Sequence, residues 1–183
     1  MIRRLKQFRD DIRAVAAVEF ALILPLLITL YLGTIEAATL YSADHKVATV
    51  ASTMADLVSR EKGEISSATL DKYFEAAETI MRPYTTSGLV QVVSLLSINS
   101  DGVATVKWSQ AHGTAEAREA DSEYPLDADT KINELARGSS GWLVASEITY
   151  PHEPIFGLII PNTITLKHTE YFLPRFKGEI ELD

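Results

Sequence analysis

The chain has 183 residues, a formal net charge of −8, 46% hydrophobic residues and no cysteine. This length permits one modest domain beside a membrane segment. The lack of cysteine excludes disulfides, thiolate zinc sites and cysteine nucleophiles, and the acidic balance argues against nucleic acid as a partner.

The charge is distributed unevenly along the chain. The leader before Ala14 carries a charge of +3, so the remaining chain carries −11. A basic flank before an apolar stretch favours a cytoplasmic position for that flank. We therefore predict a basic cytoplasmic leader at residues 1–14 and a translocated acidic body. The basic residues of the leader are Arg3, Arg4, Lys6, Arg9 and Arg13.

An apolar stretch follows the leader. From Ala14 to Gly33 its only acid is Glu19. Twenty helical residues span about 30 Å, the thickness of the hydrocarbon core of a bilayer. Residues 15–33 are therefore predicted to form a transmembrane helix. We expect a retained anchor rather than a cleaved signal peptide, because Glu36-Ala37-Ala38 is a poor match to a signal cleavage site.

The helical pattern continues beyond the predicted span. Residues 34–60 contain neither proline nor glycine, and their apolar residues recur every three or four positions. This pattern predicts that residues 34–60 extend the same helix into the periplasm. Gly63 is the predicted stop.

Residues 61–183 are predicted to form a periplasmic α+β domain. A second helix is expected from Ser66 to Arg82, capped by Ser66 or Ser67 and ended by Pro83. A roughly four-stranded antiparallel sheet should follow, with loop at 111–129 and a short helix at 129–137. The predicted strands are 89–98, 103–108, 142–150 and 163–173.

One segment of the body is both apolar and rich in proline. Pro151 to Pro161 contains three prolines around Ile155-Phe156-Gly157-Leu158-Ile159-Ile160. Such a loop is either buried or a contact patch on the surface, and the sequence leaves both alternatives open.

The apolar helix resembles that of a known family. The basic leader followed by Val15-Ala16-Ala17-Val18-Glu19-Phe20-Ala21-Leu22-Ile23-Leu24-Pro25 is similar to the start of TadE-like proteins. These proteins are minor pseudopilins or assembly proteins of tight-adherence (Flp) type IV pili. Gly33-Thr34-Ile35-Glu36 resembles the Gly-x-x-Glu that follows the span in that family. A looser resemblance covers Gly138-Ser139-Ser140-Gly141-Trp142, Thr149-Tyr150-Pro151 and Pro174-Arg175.

The resemblance implies roles for four residues. A prepilin peptidase would cut between Ala14 and Val15, where the family usually has glycine at the position of Ala14. Glu19 would pair with the N-terminal amine of a neighbouring subunit during assembly; alternatively, it extends to the cytoplasmic interface without a partner. Pro25 removes a backbone hydrogen bond and is expected to kink the helix; alternatively, it is a proline that the membrane helix tolerates without a role.

The resemblance also implies a place for the protein in the cell. It predicts a single-pass protein of the bacterial inner membrane, with its C-terminal domain in the periplasm or carried into an extracellular pilus. The implied partners are other pilins and pseudopilins, the prepilin peptidase, the inner-membrane assembly platform and the lipid bilayer. The alternative is an unprocessed single-pass inner-membrane protein whose periplasmic domain binds or senses a ligand.

No enzyme site is predicted from the sequence. The four histidines, at positions 45, 112, 152 and 168, share no metal-like spacing. Gly138-Ser139-Ser140-Gly141 is one residue short of the Gly-x-Ser-x-Gly motif of hydrolases. We therefore expect no catalytic activity, no metal site and no cofactor.

Overall fold

A computed structural model describes residues 12–126, 141–176 and 178–183 of the chain, with side chains from residue 15 onward. Within these residues two helices accompany a five-stranded antiparallel sheet and a separate two-stranded ladder, which confirms the predicted α+β class. The helices are α1 (Ile12–Ser59) and α2 (Ser67–Ile80), and the strands are β1 (Glu64–Ile65), β2 (Val90–Ile98), β3 (Ala104–His112), β4 (Glu123–Tyr124), β5 (Trp142–His152), β6 (Ile164–Phe172) and β7 (Glu181–Leu182).

Helix α1 is continuous, as the unbroken pattern of apolar residues predicted. It contains Pro25, and the Thr29 hydroxyl donates a hydrogen bond to the Pro25 carbonyl at 2.9 Å. The predicted kink at Pro25 stays a prediction. After Ser59 the chain leaves the helix, and Gly63 adopts a φ of +83°, a conformation that glycine takes at low cost.

The described residues fall into two compact units. The first comprises α1 up to Tyr41 together with Glu153–Thr163, and the second comprises Ser42–His152 and Ile164–Asp183. The proposed borders of the transmembrane span and of its periplasmic extension, at residues 33 and 60, stay predictions.

The sheet of the second unit has the order β4-β3-β2-β5-β6. Strand β2 lies at its centre, and residues 91–96 are all buried, so both faces of the sheet are covered there. One face carries a cluster of buried residues from four strands. Its members are Leu96, Ile98, Ala104, Val106, Tyr124, Leu143 and Ala145.

The predicted number of strands was slightly too low. Strand β4 lies inside 111–129, which was predicted to be loop, and pairs Tyr124 with Ala104. Strand β3 also reaches into that segment, as far as His112. A two-residue strand is too short to show alternation of polar and apolar residues, so its pairing has no local sequence signal. The ladder between β1 and β7 was missed for the same reason.

The helices of the second unit bury one face each. Helix α2 buries Leu70, Phe74 and Ala77, and the Ser66 side chain caps it by accepting a hydrogen bond from the Thr69 N–H. The buried stripe of α1 within this unit repeats at helical spacing. It consists of Ala43, Val47, Val50, Ala51, Met54, Ala55 and Val58.

Two sequence-based predictions fall outside the residues that the structure describes. The short helix predicted at 129–137 lies in the gap between 126 and 141, and most of the basic leader precedes residue 12.

Candidate functional site

Helix α1 has the character of a membrane segment. Among the described residues it is the one helix long and apolar enough to cross a bilayer, with a mean hydropathy of 2.3 over its most apolar window. That window is 0% buried, whereas the core helix of a soluble protein would be mostly covered by other residues. All residues from 15 to 31 are exposed. Length, composition and exposure therefore all indicate a membrane anchor.

The residues predicted to act in processing and assembly lie near the start of α1. The Ala14–Val15 peptide bond belongs to the helix, and Glu19 is exposed. Val15 and Glu19 are four positions apart, so they lie one turn apart on the same helix face. Pro25 lies further along the same helix. The roles proposed for these four residues stay predictions.

A second acid, Glu36, accepts several backbone hydrogen bonds within the first unit. Its side chain is only 1% exposed. Oε1 accepts hydrogen bonds from the backbone N–H groups of Phe156 (3.2 Å) and Leu158 (3.3 Å). Oε2 accepts from those of Ile159 and Ile160, both at 3.3 Å. We call this arrangement the Glu36 clamp.

The chemistry of the Glu36 clamp explains how a buried carboxylate is tolerated. An ionised carboxylate is an acceptor with about four lone-pair sites, and here four N–H groups point at it. Hydrogen bonds to a charged acceptor are roughly twice as strong as neutral ones. The clamp therefore ties Glu153–Thr163, which we call the apolar loop, to α1.

Gly33 lies one helical turn before Glu36 and faces the same loop. A Cβ atom placed on Gly33 would lie 2.9 Å from Cδ1 of Ile159, closer than such atoms normally approach. The absence of a side chain at Gly33 thus leaves room for Ile159, while Glu36 binds the backbone around it. Both Gly33 and Glu36 therefore lie against the apolar loop, and Glu36 holds its backbone.

The apolar loop is attached but not buried. The exposed fractions are 59% for Ile155, 46% for Phe156, 62% for Leu158 and 50% for Ile159. The structure thus excludes the buried alternative for these four side chains, and a role as a contact patch stays a prediction. The role of Glu36 was missed, because its partners are backbone groups about 120 positions away.

The second unit holds polar contacts that organise its own surface. The Arg118 guanidinium donates to both Glu147 oxygens, at 2.6 and 2.7 Å, and lies over the Tyr124 ring at 4.5 Å. Burial raises the pKa of Tyr124, and its hydrogen bond to Tyr171 raises it further. These contacts join β4, β5 and β6 with the segment before β4.

A further contact fixes the Pro174-Arg175 segment noted in the sequence. The Arg175 N–H donates to the Ser59 carbonyl at 2.8 Å, and its guanidinium donates to Asp56 at 2.6 Å. Arg60 donates to the other Asp56 oxygen. The segment after β6 is therefore attached to the last turn of α1, which is a structural role.

The histidines lie in separate environments. His112 lies 3.2 Å from Glu78, His168 lies 2.8 Å from Asp44, and His152 is buried, which lowers its pKa. In the part of the chain that the structure describes, no three His, Asp or Glu side chains form a group that could hold a metal ion.

Comparison with known proteins supports the resemblance seen in the sequence. Residues 14–56 match the model of the TadE-like protein family, so this region of the chain is similar to that family. The match covers most of α1, including Glu19, Pro25 and Glu36, and ends before the sheet. No curated protein and no solved structure matches the chain.

Proposed function

We propose that this TadE-like chain is a minor pseudopilin or assembly component of a tight-adherence (Flp) type IV pilus. The observation that carries the proposal is the apolar stretch of α1 that is exposed from residue 15 to residue 31, with Glu19 one turn after Val15. The family match covers the same region. The role is structural, and it involves neither catalysis nor a cofactor.

The proposal includes a processing step. A prepilin peptidase cuts between Ala14 and Val15 on the cytoplasmic side and removes the basic leader. The new N-terminus then lies at Val15, and its amine carries a positive charge at neutral pH. The alanine at position 14 differs from the usual glycine but is nearly as small.

This cut would give the Glu19 carboxylate a possible partner, the new N-terminal amine. A carboxylate in the first turns of a membrane helix is costly to insert, and a nearby amine compensates that cost. Val15 and Glu19 lie about one helical turn apart on α1, so the Glu19 carboxylate of one subunit can pair with the Val15 amine of a neighbour packed against it. Pairing between neighbours would set the register of the subunits.

The proposed topology follows from the charge distribution. The basic leader stays in the cytoplasm, α1 crosses the inner membrane and the acidic second unit lies in the periplasm. The partners are other pilins and pseudopilins, the prepilin peptidase and the inner-membrane assembly platform. Pro25 would kink α1 and ease the departure of a subunit from the bilayer.

Complementation of a deletion strain tests this function. We expect the wild-type gene to restore pilus assembly, and Glu19→Ala to insert into the membrane but fail to restore it. Glu19→Asp, which keeps the charge, should restore assembly at least in part. Glu75→Ala, which removes an exposed carboxylate outside the predicted span, serves as the matched control.

Two outcomes would count against the proposal. Normal pili in the deletion strain would favour the alternative, an unprocessed single-pass inner-membrane protein with a periplasmic binding or sensing domain. Full assembly with Glu19→Ala would remove the proposed role of Glu19.

A further inference from the structure

The apolar loop is exposed on its side chains but held at its backbone. Four of its large apolar side chains, at positions 155, 156, 158 and 159, are 46–62% exposed. At the same time its backbone is held by four hydrogen bonds to a single buried carboxylate. A contiguous apolar patch on a fixed loop is typical of a contact surface rather than of a solvated connection.

The apolar loop is attached to α1 at the end of the predicted transmembrane span, which places it beside the bilayer. Gly33 is the last residue of the predicted span, and Ile159 lies against it. Glu36 is three residues further along the helix, about 4.5 Å along its axis. The Glu36 clamp therefore holds the apolar loop at the level where the hydrocarbon core gives way to the headgroups.

The residues around the apolar loop are typical of the boundary between the hydrocarbon core and the headgroups. Tyr31, two residues before Gly33, is 68% exposed on the helix, and Phe156 is 46% exposed on the loop. Aromatic side chains are enriched at membrane–water interfaces. The loop carries one ionisable group, Glu153, at its first position, so it offers no charge pattern for an ionic partner.

We propose that the apolar loop is a second membrane contact, in which Ile155, Phe156, Leu158 and Ile159 enter the bilayer interface beside the span while the Glu36 clamp holds the loop in place. The lipid-exposed surface of α1 and the loop then form one continuous apolar surface. This inference rests on the proposed membrane anchoring of the chain. Its consequence is that the periplasmic end of the span is fixed at a set depth.

Single-cysteine labelling tests this contact directly, because the natural chain has no cysteine. The full-length chain is reconstituted into phosphatidylcholine–phosphatidylglycerol vesicles with an environment-sensitive fluorophore at Ile155→Cys or Leu158→Cys. Neither change removes an N–H group from the clamp. Leu24→Cys in the middle of the span and Asp101→Cys in the β2–β3 turn serve as the deep and the aqueous reference.

Lipids with a nitroxide near the headgroup or near the acyl terminus then report the depth. We expect the fluorescence emission of both loop labels to shift to shorter wavelengths. The shallow nitroxide should quench them more than the deep one, which corresponds to a label depth of about 5–10 Å. The Leu24→Cys label should be quenched more by the deep nitroxide, and the Asp101→Cys label should be quenched by neither.

The outcomes separate this inference from the anchoring on which it rests. Deep quenching at Leu24→Cys with loop labels that behave like Asp101→Cys would overturn the loop contact alone. Shielding of the loop labels from water without lipid quenching would show that protein covers the loop and would also overturn it. Failure of the Leu24→Cys label to be quenched would instead contradict the anchoring.

The role of the clamp is tested in the same vesicles. Glu36→Gln removes the charge but keeps the shape of the side chain, and we expect it to reduce the quenching at Leu158→Cys. Glu153→Gln removes the carboxylate at the start of the loop and should leave that quenching unchanged. Equal quenching in the two variants would contradict the positioning role of Glu36.

Discussion

Glu36 accepts a hydrogen bond from the backbone N–H of Ile160, a residue 124 positions further along the chain, at 3.3 Å. This contact belongs to a set of four that attaches the apolar loop to the helix at the end of the predicted span. These contacts offer a physical reason for the Gly33-Thr34-Ile35-Glu36 sequence, which resembles the Gly-x-x-Glu of TadE-like proteins. Glycine makes room for the loop, and glutamate holds its backbone.

The first prediction concerns the strength of the Glu36 clamp. Glu36→Gln replaces a charged acceptor of four N–H bonds by a neutral side chain with one carbonyl oxygen. We expect the amides of residues 156–160 to exchange hydrogen at least about tenfold faster in the variant. Hydrogen exchange of the full-length chain in detergent micelles measures this.

A matched carboxylate in the same loop provides the control for that experiment. Glu153→Gln should leave the exchange of residues 156–160 at the wild-type rate, because Glu153 is exposed. Wild-type exchange rates in Glu36→Gln would show that the clamp does not hold the loop.

The second prediction concerns the pH dependence of stability. Burial lowers the pKa of His152 below its ordinary value of 6.5, so the folded chain keeps this ring neutral where the unfolded chain protonates it. The contribution of neutral His152 to the free energy of unfolding is therefore fully present above about pH 6.5. It is lost as the pH falls from there through the lower pKa of the folded state. Urea unfolding at pH 7.5 and pH 5.5 measures the loss.

His152→Gln isolates this contribution to the pH dependence. The variant lacks the titrating ring, whereas the other three histidines are common to both chains. We expect a smaller loss of stability between pH 7.5 and pH 5.5 in the variant. An equal loss in both chains would contradict the assignment to His152.

The third prediction concerns the contacts between Arg118, Glu147 and Tyr124. Arg118→Lys keeps the charge but loses the two parallel hydrogen bonds and the planar group over the Tyr124 ring. Because the pair is partly exposed, we expect a loss of about 1 kcal/mol in the free energy of unfolding. A double-mutant cycle with Glu147→Gln measures the coupling, and a coupling near zero would refute the prediction.

The fourth prediction concerns the core of the second unit. Phe74 is fully buried in α2 and stacks on the His112 ring at a centroid distance of 5.3 Å. Phe74→Ala leaves a cavity and should lower the free energy of unfolding by about 3–5 kcal/mol. Lys72→Ala, on the exposed side of the same helix, should change it by less than about 0.5 kcal/mol. Thermal unfolding of both variants tests this difference.

The sequence was informative where structure depends on neighbouring residues. Both helices were predicted because their apolar residues repeat at helical spacing, and the cap at Ser66 is present. The longer strands were predicted because branched residues alternate between turn signals. Local patterns of this kind report which face of an element is buried.

The sequence was uninformative where structure depends on distant backbone groups. Strand β4 exists because the edge of β3 offers it a partner, and two residues carry no periodic signal. The Glu36 clamp also depends on distant backbone groups. Almost every residue has a backbone N–H group, so the sequence does not indicate which of them bind Glu36. The resemblance pointed to Gly33 and Glu36 but not to what they bind.

The N-terminus of the mature protein tests the central claim most directly. The chain is purified from membranes of a strain with an intact pilus system, and its N-terminal peptide is identified by mass spectrometry. We predict a mature N-terminus at Val15, and loss of this product in Ala14→Leu, whose bulk would block the peptidase, but not in Ala14→Gly. A mature chain that begins at Met1 in the wild-type strain would contradict processing as a pseudopilin.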